Sequence, residues 1–482
     1  MDFRSILSYI GVMLEILGVL ALLPVIVSVI YGDGFHLVFI LAATVSFAIG
    51  AVLDRSFERK ELNLGSAMII TALSFILISL LGAMPYLFYM SPVDSVFESV
   101  SGFTTTGLTV VSQPQNFPAS LLFWRSFTQW IGGIGILVIF LTLMSSTGIS
   151  SYYLYKAEGA PEKLEASVMH SVRKMIKIFV FYTLFGVMLL LVAGMPAFDS
   201  VLVAFSSIST GGFAPHSASI AAYSSAWVEL AVIILMILGA TSFFVHDRIL
   251  SGQLKGRLST MGQRLLDYAR NPETRMFWVM ILIFSALLGL GLLGVSAQPV
   301  RTGVFHAVSA LTTTGFSTIG IAGLHLPMFL VIIMMIIGGY AGSTAGGLKL
   351  VRVGIIAKSF AWVSKKMSYP IEAVMPFKFG GRSIRERELS MVFLFVCMYL
   401  VLLVISGIAM MFLGYGPMDS FFIVSSAQGT VGFSTIDLVP LVWQGKLVLM
   451  INMLLGRLEI FPFLVLLYSF FSAGSERERR PY

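Results

Sequence analysis

The chain has 482 residues, of which 57% are hydrophobic and only 11% charged, with a formal net charge of +7 and a mean hydropathy of +0.92. A soluble domain carries about 25% charged residues, so this composition excludes a soluble globular protein and points to a polytopic membrane protein. The one cysteine, Cys397, lies in an apolar run and excludes a disulfide scaffold or a cysteine metal site within one chain. The positive balance is not a nucleic-acid signal, because its placement follows membrane topology.

Hydropathy predicts ten spans, near 6–31, 36–53, 64–89, 121–146, 178–196, 224–245, 276–297, 326–361, 389–415 and 443–472. The first is too long for the core of a signal peptide and has no clear small-residue cleavage site. The first two form an N-terminal pair. Between the members of each later pair lies a Ser/Thr-rich window ending in glycine and a bulky apolar residue: DSVFESVSGFTTTGLT (94–109), DSVLVAFSSISTGGFA (199–214), TGVFHAVSALTTTGFS (302–317) and DSFFIVSSAQGTVGFS (419–434). Their glycines, Gly107, Gly212, Gly315 and Gly432, are separated by 105, 103 and 117 residues. A serine stands six residues before each (Ser101, Ser206, Ser309, Ser426). An aspartate stands thirteen before three of them (Asp94, Asp199, Asp419), with Thr302 in that place in the third window.

The chain therefore divides into an N-terminal two-helix domain (1–60) and four repeats: 61–172, 173–270, 271–385 and 386–482. Lys and Arg cluster in 54–62, 148–177, 246–275, 349–389 and 476–482, while the loops on the other side hold only Arg301. The positive-inside rule places both termini in the cytoplasm and all four windows on the outer side.

Each window is expected to begin as a short helix, with Asp94-Ser95, Asp199-Ser200 and Asp419-Ser420 as N-caps. About eight residues at ~1.5 Å each reach roughly 12 Å, too short to cross a bilayer. Such a half-helix re-enters the membrane and aims its partly negative C-terminus at a central cavity, which favours a cation. The Ser/Thr/Gly run then returns outward. Ahead of the glycines stand Thr105-Thr106, Thr210-Gly211, Thr313-Thr314 and Thr430-Val431, followed by Leu108, Phe213, Phe316 and Phe433 as wedges against neighbouring helices. A single TTTG string is weak evidence, since Thr and Gly also mediate helix packing. Four in register, all outward and all before a span, favour a ring of backbone carbonyls around a dehydrated cation.

The windows, FWRSFTQWIGGIGIL (123–137), GGYAGSTAGGLKLVR (338–352) and NMLLGRLEIFPFLVLL (452–467) closely resemble the Trk/Ktr/HKT cation-transporter superfamily, most closely its TrkH type. The likeness spans the whole chain, and the extra N-terminal pair separates it from the shorter KtrB type. It implies an all-α membrane protein with one potassium-channel-like pore per chain, in the cytoplasmic membrane of a prokaryote. The implied potassium-binding residues are Thr105, Thr106, Gly107, Thr210, Gly211, Gly212, Thr313, Thr314, Gly315, Thr430, Val431 and Gly432. It also implies a homodimer and a cytosolic ring of a TrkA-like regulator that binds nucleotide (ATP/ADP or NAD(H)); no nucleotide motif of the chain's own is present. Relatives with serine at the first filter glycine tend to pass sodium, so four glycines point to potassium. Only Thr430-Val431-Gly432-Phe433 approaches TVGYG, which implies looser selectivity.

Span 326–361 is overlong and contains Gly338, Gly339, Gly342, Ser343, Thr344, Gly346 and Gly347. The spacing of Gly338, Gly342 and Gly346 suits close helix packing. Five glycines within ten residues nonetheless cost a helix about 4–5 kcal/mol relative to alanine, which favours a broken helix with a gate loop below the filter. Arg457 lies near the centre of the last span, where an arginine faces a cavity or a partner. The matching family position carries it, which implies a barrier in the pore. Glu459, on the far side of that helix, is a poor partner for it. Arg125, at the outer end of its span, is read as an interface anchor or structural residue, and Glu15 and Glu229 as structural. Asp437 attracts cations or is merely solvated, and His216 and His325 are surface residues without metal-ligand spacing. The basic segments 246–275 and 358–388 suit anionic lipid or the soluble partner.

The leading reading is potassium uptake through a gated pore, with sodium- or proton-coupled symport as the alternative. Parallel repeats and the lack of carboxylates at the filter itself weigh against a carrier. No H-E-x-x-H, G-x-S-x-G or clustered Asp motif supports an enzyme.

Overall fold

The computed structural model describes residues 3–478 except 61–63, 148–167, 251–252, 255–256, 259 and 371–374. Most of the basic segment 148–177 and of the C-terminal one, and parts of 54–62, 246–275 and 349–389, lie outside the described residues. The N-terminal pair is α1 (Phe3–Leu20), continued after a turn by α2 (Leu23–Tyr31), and α3 (His36–Ser56). Gly11 of α1 faces Gly50 of α3, so the two backbones pack closely. The pair is fastened to the first repeat from its outer loop. Asp33 accepts hydrogen bonds from Ser120 N (2.9 Å), Phe35 N (3.0 Å) and the Ser28 hydroxyl.

Each repeat is helix, half-helix, helix. Repeat one is α4 (Leu64–Gly82), α5 (Pro92–Phe103) and α6 (Ala119–Thr147). Repeat two is α7 (Val168–Val192), α8 (Ala197–Ile208) and the bent pair α9 (Ala226–Ala240) and α10 (Phe243–Leu250). A short antiparallel ribbon, β1 (Gln253–Leu254) with β2 (Arg257–Leu258), and the amphipathic α11 (Met261–Arg270) lead to repeat three. That repeat comprises α12 (Pro272–Gly291), α13 (Pro299–Leu311), α14 (His325–Ile337) and α15 (Leu350–Met367). A second ribbon, β3 (Phe377–Phe379) with β4 (Arg382–Ile384), precedes repeat four: α16 (Glu386–Phe412), α17 (Pro417–Gln428), α18 (Trp443–Arg457) and α19 (Phe461–Glu478).

Among the described residues, six segments are long and apolar enough to cross a membrane unbroken, and two more are helix pairs bent by 101° (α9–α10) and 109° (α18–α19). With the 29-residue α6 and the split α14–α15, the ten expected spans are accounted for, but three of them are not straight helices. Segments 224–245 and 443–472 were expected to be continuous. They bend because Thr241-Ser242 and Leu458-Glu459-Ile460 leave the helical conformation, Glu459 and Ile460 with φ of +60° and +63°. Large apolar side chains such as Val192, Leu282 and Phe412 are exposed outward, as lipid-facing positions require. The Ser and Thr residues just before the four window glycines, by contrast, are buried.

Candidate functional site: a ring of four filter strands

The half-helices are longer than eight residues: 12 in α5, α8 and α17, and 13 in α13. Nor do the aspartates cap them. The caps are Ser91, whose hydroxyl accepts from Asp94 N, Pro196 and Gly416, one turn earlier. Asp94, Asp199 and Asp419 sit in the first turn, where a negative charge still suits the helix dipole. There they anchor other chain segments. Asp419 accepts from Thr435 Oγ1 (2.6 Å), and Asp199 from Tyr223 (2.8 Å) and His216 (3.1 Å). Asp94 pairs with Lys446 of repeat four. Burial, with Asp199 beside it, pushes the Tyr223 phenol above its usual range, so it remains a donor. Thr302, in the aspartate's place, bonds Ser296 (2.9 Å).

The four half-helices end identically. The N–H groups of Thr105, Thr210, Thr313 and Thr430 donate to the carbonyls of Gly102, Ser207, Ala310 and Ala427 at 2.9–3.2 Å. The next N–H groups, of Thr106, Gly211, Thr314 and Val431, donate to the carbonyls of Ser101, Ser206, Ser309 and Ser426 at 2.8–2.9 Å. This double bond pattern is the Schellman motif, and its left-handed residue is normally glycine. Here it is threonine all four times, with φ of +52°, +52°, +56° and +50°. A β-branched residue in that region is strained by about 1–3 kcal/mol. The repeated serines thus serve first through their carbonyls, which explains their fixed spacing.

Two residues on, Gly107, Gly212, Gly315 and Gly432 are left-handed again, with φ of +84°, +78°, +82° and +99°. The residues between have no positive φ. Alternating handedness turns successive carbonyls toward one side of a strand, the arrangement a carbonyl-lined cation path uses. The four strands close on one another. A Cβ on Gly107 would collide with the carbonyl of Gly211, one on Gly212 with that of Thr314, one on Gly315 with that of Val431, and one on Gly432 with that of Thr106. The order one, two, three, four and back to one is a ring, and only glycine fits at each contact. Leu108, Phe213, Phe316 and Phe433 are buried behind it.

The ring is not uniform. The Gly211 carbonyl accepts from Gln129 Nε2 (2.7 Å), and Gln129 Oε1 accepts from Phe213 N (3.1 Å), so one lone pair of that carbonyl is already used. Thr104 and Thr106 pair their hydroxyls at 2.8 Å, as do Thr312 and Thr314 at 2.9 Å. The Thr105 and Thr430 hydroxyls have no partner.

The glycine segment of repeat three lies against the inner end of this ring. Its helix stops at Ile337 and resumes at Leu350. Leu348 N donates to Ile336 O and Leu350 N to Gly339 O, both at 2.9 Å, which closes the loop at its base, where Gly338 and Gly347 face each other. Ala345 N donates to the Ser343 hydroxyl (3.2 Å), which donates in turn to Tyr340 O (2.6 Å). Phe243 N donates to Gly342 O (3.0 Å) and Thr344 N to Gly239 O (3.3 Å), fixing the loop to the bend of repeat two. Gly346 N donates to Thr313 Oγ1 (2.7 Å), Thr210 Oγ1 lies 3.3 Å from Thr344 Oγ1, and a Cβ on Gly346 would collide with Thr430 Oγ1. Three of the four strained threonines therefore touch this loop.

Arg457 is the last residue of α18 and is buried at the bend. Its Nη1 donates to Thr344 O (2.6 Å) and its Nη2 to Gly132 O (3.0 Å). It bridges the loop to repeat one. Glu459 does not lie across a helix from it, because the helix has already ended; it pairs with Arg352 at 2.6 Å.

Other readings change with burial. Arg125 is 2% exposed and paired with Glu98 at 2.7 Å, so it is not an interface anchor. Glu229 is structural, forked to Arg301 at 2.6 and 2.8 Å. His325 and Asp437 are exposed, and His216 is half-buried on Asp199. Sequence reasoning missed Glu98, Gln129 and His306. Each is a lone polar side chain in an otherwise apolar or hydroxyl-bearing stretch, and that isolation was the available signal.

The TrkH family profile, described as a cation transport protein, matches residues 35–474. An uncharacterised cation transporter of Methanocaldococcus jannaschii is 34% identical over 96% of this chain and 95% of its own length. The Trk system potassium uptake protein TrkH of Salmonella typhimurium is 31% identical over 97% of this chain and 98% of its own. The crystal structure of the potassium transporter TrkH from Vibrio parahaemolyticus superposes with a TM-score of 0.86 at 28% identity, covering 97% of this chain and 99% of that one. A four-repeat ring behind an N-terminal helix pair, with these likenesses along nearly its whole length, makes the chain a member of the TrkH family of cation transport proteins.

Proposed function

We propose that the chain takes up potassium across the cytoplasmic membrane of a prokaryote through a channel-like pore on the axis of the four-strand ring. The observation that carries this reading is the cyclic contact of the four filter glycines with neighbouring carbonyls. Carbonyls of Thr105, Thr106 and Gly107 and their counterparts replace the hydration shell of the ion. The four half-helices add the partial negative charge of their C-termini below it. Residues 338–347 act as the gate, and Arg457 holds it closed through Thr344 while setting a positive charge beside the path. Both termini lie in the cytoplasm, where the basic segments take a nucleotide-binding regulatory ring, and two chains form a homodimer. The relatives' names, potassium uptake proteins of a Trk system, support the cargo and a multi-component assembly.

Rubidium or potassium flux into proteoliposomes, with and without a sodium or proton gradient, tests this function. Downhill flux with neither gradient is expected. Flux only when one of the gradients is imposed makes the protein a coupled carrier, and no flux of either cation under any gradient refutes a transport pore.

A further inference from the structure

We propose that two polar braces behind the ring, Glu98 with Arg125 and His306 alone, set its cation selectivity. Each fixes its own filter strand together with the aromatic wedge of the next repeat. The proposal rests on the ring being the selectivity filter.

The position nine residues before each filter glycine reads Glu98, Val203, His306 and Ile423. All four are buried, and only repeats one and three are polar there. The Glu98 carboxylate accepts from Thr109 Oγ1 at 2.9 and 3.0 Å and from Val110 N at 3.2 Å, both in the strand leaving Gly107. Arg125 holds that carboxylate through Nε (2.8 Å) and Nη2 (2.7 Å) and reaches Thr109 Oγ1 with Nη2 (3.1 Å). Its Nη1 crosses to repeat two, donating to Ala214 O (3.3 Å), and its guanidinium stacks 4.2 Å over Phe213, the wedge after Gly212.

His306 repeats this plan by other chemistry. Nδ1 lies 3.0 Å from Thr302 O and Nε2 3.3 Å from Ile319 O, in the strand leaving Gly315. Its ring stacks at 13° and 5.9 Å on Phe433, the wedge after Gly432. The glycine contacts make one and two, and three and four, ring neighbours. Two braces therefore secure four strands, and the apolar Val203 and Ile423 stand where no further brace is required. A buried ion pair is a costly way to fill space in a membrane protein. Every arm of this one ends on a filter strand or wedge. Held from behind, the carbonyl ring keeps its size; released, it closes around the smaller sodium ion. These are positioning residues, since each acts through the strand and wedge its side chain holds.

Reversal potentials of the purified full-length protein in bilayers give the sodium-to-potassium permeability ratio. E98Q/R125M, T109V and H306L are each expected to raise it by roughly tenfold, the effect of losing about one charge-assisted hydrogen bond or its equivalent, with potassium current retained. V203A and I423V, which lose packing at the same register, are expected to leave the ratio unchanged. G107S serves as the filter control. A shifted ratio in G107S with none in the brace variants overturns the braces and leaves the filter standing. No shift in G107S either overturns the filter reading and the braces with it. If E98Q/R125M does not fold, T109V and H306L decide in the same terms. An equal shift in V203A or I423V reduces the braces to ordinary packing and overturns the proposal.

Discussion

Threonine at a glycine position is the informative anomaly at the scale of single residues. Thr105, Thr210, Thr313 and Thr430 occupy left-handed conformations at four Schellman termini, each strained by about 1–3 kcal/mol. Glycine would relieve the strain but remove the hydroxyls, of which those of Thr210, Thr313 and Thr430 meet the glycine loop. Arg457 belongs to the same contact set. Arg457→Ala frees the Thr344 and Gly132 carbonyls and removes the buried charge, so potassium conductance should rise; unchanged single-channel current would refute a barrier there. Asp33 governs a different boundary. Burial raises its pKa, but hydrogen bonds from Ser28, Ser120 and Phe35 outweigh this and leave it below the usual carboxylate value. A depressed folded-state pKa contributes stability that is present above the unfolded value of about 3.9 and is lost as pH falls through the folded one. Asp33→Asn should therefore cost about 1–2 kcal/mol at neutral pH and flatten the acid limb of thermal stability below about pH 4. Melting curves of the detergent-solubilised protein from pH 7 to pH 3 measure both effects.

At the scale of elements, the second helix breaks in three repeats, and the breaks converge. The bend of repeat two supplies Gly239 and Ala240 carbonyls to the loop of repeat three, and the bend of repeat four brings up Arg457. Only the repeat-three break was legible in the sequence, because it is written in glycine. At Thr241-Ser242 no glycine or proline marks the bend within an otherwise apolar span, whereas in repeat four Pro462, which cannot donate to the Leu458 carbonyl, is a local breaker whose signal is masked by the apolar residues around it. The repeated backbone turns of the four windows were legible for the opposite reason: four copies of one local pattern expose them. The caps were misassigned because an aspartate in the first turn and one at the cap look alike without the preceding proline or serine being weighed. The loop's bonds give a prediction of their own. Deleting residues from 339–346 removes its contacts with Thr210, Thr313 and Thr430, and basal flux in proteoliposomes should rise; unchanged flux would argue against a gate at this place.

The whole molecule combines a near four-fold ring with lower symmetry around it. The backbone of the ring repeats the same terminal hydrogen bonds and the same left-handed positions in four copies. Behind it Arg125 reaches from repeat one to repeat two and His306 from repeat three to repeat four, and against its other end lie the 338–347 loop and Arg457, bonded to each other through Thr344. Sequence repetition made the first layer visible, whereas the second depends on isolated residues, Glu98 and His306, whose partners come together only in three dimensions. On the proposed function, the four strands form one cation path on their common axis. Rubidium-soaked crystals of the full-length protein, examined by anomalous scattering, test it most directly. Anomalous peaks are expected on the axis between the carbonyls of Thr106, Gly211, Thr314 and Val431. Rubidium bound elsewhere, with none on that axis, would contradict it.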